Sequence, residues 1–318
     1  MKLFIKNSIV FSILLITILF LLQGLVSLRI KGKTVRGYDN LEVTSHSNAD
    51  LVLLGSSRCW AHFDPAFFDK TFRLKSINLG VDGHTEIATT LLRLKNYLSR
   101  NHPPKYAILS FDPFMVAGNV NDNQNFVHKD AYSRYSFFPS EINAPLVNHF
   151  KFNWKEKYIP LYSVFKNRLF LDCLTLKNSG DYPKYGFEKH TEQWDTVKKP
   201  ITNILKKIFF KDNDIPSITE ALDELNQFCL KNNIKLLCIQ TPVYKIIADE
   251  KAFRVPSEIC KKLDIPFVDV NEKSIQDDIR FFYNSNHLNS NGVENMNSYL
   301  KKNSILTDFL ISKKTSNN

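Results

Sequence analysis

The run Gly55-Ser56-Ser57-Arg58 stands where four apolar residues, Leu51 to Leu54, stop abruptly. Two hydroxyls at the end of such a run are either part of an ordinary turn or the place of a nucleophile. Serine is a poor nucleophile at neutral pH and needs a base beside it. The candidate base is His287, in the polar stretch FFYNSNHLNSNG, which precedes a helix expected from Asn291 that contains Val293, Met296 and Leu300. Ser57 and His287 lie at opposite ends of the domain, so a folded sheet has to bring them together. Three further residues stand close to these positions. His62 and His84 either line a pocket or sit on surface loops. Arg58 either binds an anionic group of a substrate or pairs with a neighbouring carboxylate.

The elements that position such a site are readable as alternating runs. DLVLLG from Asp50, KSINLG at Lys75 to Gly80, KYAILSF at Lys105 to Phe111, IKLLCIQ at Ile234 to Gln240 and PFVDV at Pro266 to Val270 are short apolar segments. They suit parallel strands buried on both faces. Between them, Ile87, Leu91, Leu94 and Leu98 form one helical stripe, and IPSITEALDELNQFCL places Ile218, Leu222, Leu225 and Phe228 on another. Pro216 falls near the start of that second helix. The expected fold is α/β, a three-layer α/β/α sandwich on a mainly parallel five-stranded sheet, with ligands at the carboxyl ends of the strands. An aromatic-rich segment at about 120–206 does not fit the alternation and reads as an insertion. It is either a lid or acceptor-binding surface, or it completes the core.

The N-terminus is uncharged and almost wholly apolar from Ser8 to Leu28. At about 1.5 Å per residue this is just enough to span a hydrocarbon core of roughly 30 Å. Lys2 and Lys6 precede it and no small-x-small cleavage site follows, so residues 8–28 read as an uncleaved signal anchor. Residues 1–7 are then a cytoplasmic N-terminus, 29–48 a linker, 49–312 the main domain and 313–318 a polar tail. The main domain is expected outside the cytoplasm.

Composition excludes several classes. The five cysteines (Cys59, Cys173, Cys229, Cys238 and Cys260) include no C-x-x-C pair, which argues against a zinc site and a disulfide framework. A net charge of +10 is spread along the chain without a nucleic-acid motif. Part of it flanks the apolar segment, where it suits anionic head groups. Neither a Walker loop nor a G-x-G-x-x-G pattern is present.

The motifs, taken in order, resemble the SGNH/GDSL hydrolases, especially the membrane-anchored bacterial members linked to acylation of cell-envelope polymers. Gly55-Ser56-Ser57 matches the first block. INLGVDG matches the second, with Asn78 ending the strand and Gly83 at the oxyanion-hole glycine, and Asn284 to Asn289 with Gly292 matches the last. The resemblance covers roughly Ala49 to Leu300. It implies Ser57 as nucleophile, His287 as base, the backbone N–H groups of Ser57 and Gly83 as oxyanion donors, and no metal or cofactor.

Two positions depart from the family pattern. Ser110-Phe111-Asp112-Pro113 stands where Gly-x-Asn is usual, so an oxyanion donor is missing unless Asn119 or another group supplies it. Asn284 stands at the triad aspartate. In a serine protease that change costs about 10⁴ in turnover through the wrong histidine tautomer, or about 5 to 6 kcal/mol. A Ser57–His287 dyad still works where a backbone carbonyl accepts the Nδ1 proton of His287; Asp277 and Asp278 are alternatives to which their distance in sequence from His287 gives no support.

The resemblance implies a membrane-anchored esterase or O-acyltransferase acting on an acylated envelope glycan, with a membrane acyltransferase as a partner and no nucleic acid. The alternative is a non-catalytic binding or assembly protein on the same fold, for which Asn284 and Asp112 are the motive.

Overall fold

The computed structural model describes residues 1–30, 46–81, 86–118, 136–137, 152–166, 184–198, 212–245 and 250–311. The chain divides into two compact units, Met1–Glu42 with Asn125–Tyr182, and Val43–Gln124 with Pro183–Asn318. Residues 125–182 group with the N-terminus, whereas 184–198 pack within the second unit. Most of the linker and the whole polar tail lie outside the described residues.

The first unit holds α1 (Lys2–Ile30), which is long and apolar enough over Lys2–Leu28 to cross a membrane. It also contains two one-turn helices, Trp154–Tyr158 and Tyr162–Lys166. Asn153 and Glu156 close a capping box at the first of these.

The second unit is built on β1 (Leu51–Leu54), β2 (Ser76–Asn78), β3 (Tyr106–Ser110), β4 (Lys235–Gln240) and β5 (Phe267–Asp269). They form one sheet in the order β2-β1-β3-β4-β5, and every pairing is parallel. All five apolar runs are strands of this sheet. Neighbouring residues of β1 face opposite layers, as a period of two requires. Val52 and Leu54 pack with Ile87 and Leu91 of α4 (Ile87–Leu98), with Ile218, Leu222 and Leu225 of α6 (Ile215–Lys231), and with Val255 and Ile259 of α7 (Glu250–Lys262). Leu51 and Leu53 pack with Phe63 and Phe68, and with Met296 and Leu300 of α8 (Ser290–Leu300). The fold is thus a three-layer α/β/α sandwich.

Strand order reverses between β1 and β3, and a crevice at the carboxyl ends of the strands is the usual ligand site of such a sheet. Three short helices start near this edge or just beyond it: α2 (Ser57–His62), α3 (Pro65–Phe72) and α5 (Pro113–Gly118). A two-stranded hairpin, β6 (Phe282–Asn284) with β7 (His287–Leu288), precedes α8. The buried side chain of Asn289 fixes this junction. It accepts from Gly292 N at 3.1 Å as the N-cap of α8, and donates to the Arg280 and Phe282 carbonyls at 2.8 and 3.3 Å. One side chain therefore ties the start of the helix to the hairpin.

Candidate active site

Gly55 leaves β1 with φ 141°, and a Cβ there would come within 3.0 Å of the Cβ atoms of Cys59 and Ser110. Glycine at this point lets the chain turn directly from strand into α2. Ser56 is the N-cap, accepting from Arg58 N, and Ser57 opens the helix at partial exposure. Its backbone N–H bonds no other described residue. Gly80 lets β2 approach this turn, because a Cβ there would lie 2.5 Å from Trp60 N.

The hairpin brings His287 to Ser57, with Nε2 2.8 Å from Oγ. On its other side Nδ1 lies 3.0 Å from Oδ1 of Asn284. The same Oδ1 accepts the backbone N–H of Asn286 at 3.1 Å, which fixes the way the amide faces. An amide oxygen carries no proton, so the proton in the His287–Asn284 bond belongs to Nδ1. Nε2 then presents its lone pair to the Ser57 hydroxyl, the form needed to remove a proton. The wrong tautomer expected for Asn284 is thus avoided by a hydrogen bond two residues away. What asparagine does not supply is negative charge facing the imidazolium.

Asp277 and Asp278 are occupied elsewhere. Asp277 lies 3.8 Å from Lys245, and Asp278 caps a short 3₁₀ turn and pairs with Arg280.

Arg58 is 1% exposed and Asp112 0%. They form an ion pair, Nε to Oδ2, at 2.5 Å. Arg58 therefore faces a carboxylate, not open solvent. Its remaining N–H groups donate to the carbonyls of Asn286, Thr241 and Pro242 and to Thr241 Oγ1. Burial pulls the guanidinium below its ordinary value and Asp112 opposes that shift. Asp112 also accepts from the backbone N–H groups of Phe114 and Met115 at 3.0 and 3.2 Å, capping α5. Asp followed by Pro is a helix-start pattern, and this signal was present in the sequence beside the departure from Gly-x-Asn.

His62 is fully buried and also structural. Leu288 N donates to its Nε2 at 2.9 Å, so Nδ1 carries the proton and donates to Thr241 Oγ1, also at 2.9 Å. Asn78, also fully buried, donates to the Cys59 and Phe63 carbonyls at 2.8 Å each, and accepts from Gly80 N at 2.8 Å. Asn78, His62, Asp112 and Arg58 form the frame behind the site instead of the wall of a pocket. Gly83, His84 and Asn119 lie outside the described residues.

Residues 184–198 supply neighbours that were not read as part of the site. Glu188 N donates to Trp60 O, Trp194 N to Phe282 O and Ser290 N to His190 O. The His190 ring stacks on Tyr283 at 3.9 Å, and Tyr283 stacks on His287 at 5.4 Å. The aromatic bias of the long segment was the only signal available for this arrangement. Among the described residues, no group of three or more His, Cys, Asp or Glu side chains is placed to hold a metal ion.

No protein-family model matches the sequence, and no curated protein matches it. Among solved structures, the chain is similar to a protein of Bacteroides fragilis NCTC 9343 provisionally named an acylhydrolase. That match has 11% identity and a TM-score of 0.36, over 81% of this chain and 87% of the other. A GDSL-like lipase of Bacteroides thetaiotaomicron VPI-5482 gives 11% identity and a TM-score of 0.36, over 79% and 85%.

Two consequences of the frame are measurable. Replacing Asp112 by alanine strands a buried guanidinium, and should cost about 3 to 5 kcal/mol of stability in denaturant unfolding of the detergent-solubilised chain. A loss below about 1 kcal/mol, the scale of an exposed pair, would contradict the buried ion pair.

The second consequence concerns pH. Burial, then the charges of Arg58, His287 and His190, hold His62 well below its ordinary 6.5. The unfolded chain takes up this proton before the folded one does. The contribution is therefore complete above about pH 6.5 and is lost as pH falls below it toward the depressed folded value. Unfolding midpoints should fall from about pH 7 to pH 5 in the native chain, and by less in His62→Gln. Equal pH dependence in both would contradict a buried neutral His62.

Proposed function

We propose that the chain is an SGNH/GDSL-like serine esterase or O-acyltransferase. The observation that carries this reading is the hydrogen-bonded series Ser57 Oγ, His287 Nε2, His287 Nδ1 and Asn284 Oδ1, with the amide fixed by Asn286 N–H. Its place after β1, beside the reversal of strand order, adds support. The electron pair on Ser57 Oγ attacks an ester carbonyl carbon while the hydroxyl proton passes to His287 Nε2. The tetrahedral oxyanion is held by Ser57 N–H, and by Gly83 if the family pattern applies. As the intermediate collapses, the carbon–oxygen bond to the alcohol breaks and His287 returns the proton to that oxygen. Water or an acceptor hydroxyl then attacks the acyl-serine by the same steps in reverse order. Hydrolysis and transfer differ only in that second nucleophile.

The substrate class in this proposal is an acylated cell-envelope glycan. It rests on the family resemblance together with an N-terminal helix apolar enough to anchor the chain. The second reading, a non-catalytic binding or assembly protein for such a glycan, is favoured by one feature: an amide stands where a carboxylate would face His287.

Labelling of the full chain by a fluorophosphonate separates the two readings. The catalytic reading expects labelling that is abolished in Ser57→Ala and strongly reduced in His287→Ala. It also expects Asn284→Asp to raise the labelling rate, since a carboxylate stabilises the imidazolium, and Asn284→Ala to lower it by about 10²-fold, the scale of a 1 Å misplacement. Folded chain that does not label with either asparagine or aspartate at position 284 would favour the binding protein.

A further inference from the structure

The first unit carries a feature that the catalytic reading does not use. Among the described side chains of α1, one is buried: Gln23, at 5% exposure in an otherwise open apolar helix. Its Oε1 accepts the backbone N–H of Leu161 at 2.6 Å. Leu161 has φ 63° in the turn that joins the two one-turn helices. That turn has no unmet donor. Ile159 N–H goes to Lys155 O, Pro160 has none, and Tyr162 N–H goes to Ile159 O. A non-helical turn with every N–H answered from within the protein is what a water-poor medium demands. In water the Leu161 N–H would need no glutamine.

The side chains around the turn point the same way. Trp154, Tyr158 and Phe165 are 62%, 62% and 60% exposed. Lys155 is exposed beside Trp154, and Lys166 pairs with the buried Glu156 at 2.8 Å. Exposed aromatic rings alternating with lysines, on a segment bonded to a membrane-length helix, have the composition of the lipid–water boundary. The position along the helix agrees. Gln23 is five residues before Leu28, about 7.5 Å along the axis and so inside a hydrocarbon half-thickness of about 15 Å.

We propose that residues 154–166 are a second membrane contact, seated at the boundary between head groups and acyl chains of an anionic bilayer, on the leaflet at the Leu28 end of α1. This inference rests on the reading of α1 as a membrane anchor, and the Gln23–Leu161 bond ties the two elements together.

The test uses the full chain reconstituted in phosphatidylglycerol-containing vesicles, with and without acyl-brominated phosphatidylcholine. Flotation reports the anchor. The emission of Trp154, obtained as the difference from Trp154→Phe, reports the contact. The proposal expects flotation and a Trp154 component that brominated lipid quenches and aqueous iodide does not. A floating chain whose Trp154 component is quenched by iodide would overturn the second contact and leave the anchor standing. Protection from both quenchers would mean that protein, a partner or a second copy of the chain, covers the segment, and would also overturn it. A chain that fails to float would overturn the anchor and this inference together.

Discussion

A guanidinium taken out of water has to be answered at nearly every N–H and by an opposite charge, and this requirement organises the end of the sheet. Arg58 sits one residue after Ser57, and its partners come from three separate parts of the chain. Asp112 follows β3, Thr241 and Pro242 follow β4, and Asn286 belongs to the hairpin that carries His287. Satisfying one side chain therefore fixes the distance between the loop of Ser57 and the loop of His287. His62 repeats the arrangement from the same helix, joining Thr241 Oγ1 to Leu288 N. Buried polar networks of this kind are costly when incomplete and specific when complete.

Within that frame the histidine is oriented without a carboxylate. In the usual triad an aspartate both orients the ring and compensates the charge that develops on it. Here the two tasks are separated. Asn284 orients the ring through Oδ1, held in place by Asn286 N–H, and no charge is added. Asp112, a buried carboxylate in the frame behind the site, is already committed to Arg58 and to the start of α5. The proposed chemistry therefore relies on orientation and on the donors around the oxyanion more than on compensation of the imidazolium.

Much of the fold was legible because its strands are buried on both faces and so read as unbroken apolar runs. Helices with one apolar stripe, such as Ile215–Lys231, were equally plain. Ser57 and His287 were legible as a pair through their order and their polar settings. Other parts were hidden for physical reasons. Whether Arg58 meets a substrate or a carboxylate depends on the pairing of β1 with β3, which spacing along the chain does not encode. The tautomer of His287 depends on one backbone N–H at Asn286. His190 reaches the site through packing on Tyr283, and an aromatic-rich segment offers no period by which to place it. Asp112-Pro113 is different, since the pair carries a helix-start signal of its own, independent of the Gly-x-Asn position it occupies.

The chemistry proposed for Ser57 requires His287 to hold its proton on Nδ1, toward Asn284 Oδ1, and to present the Nε2 lone pair to the serine hydroxyl. Nitrogen-15 NMR of the full chain with ring-labelled histidine, assigned by loss of signal in His287→Gln, tests it most directly. At a pH where the ring is neutral, Nδ1 is expected to be protonated and Nε2 unprotonated. A neutral ring with the proton on Nε2 would contradict it, because the lone pair would then face the amide and not the serine.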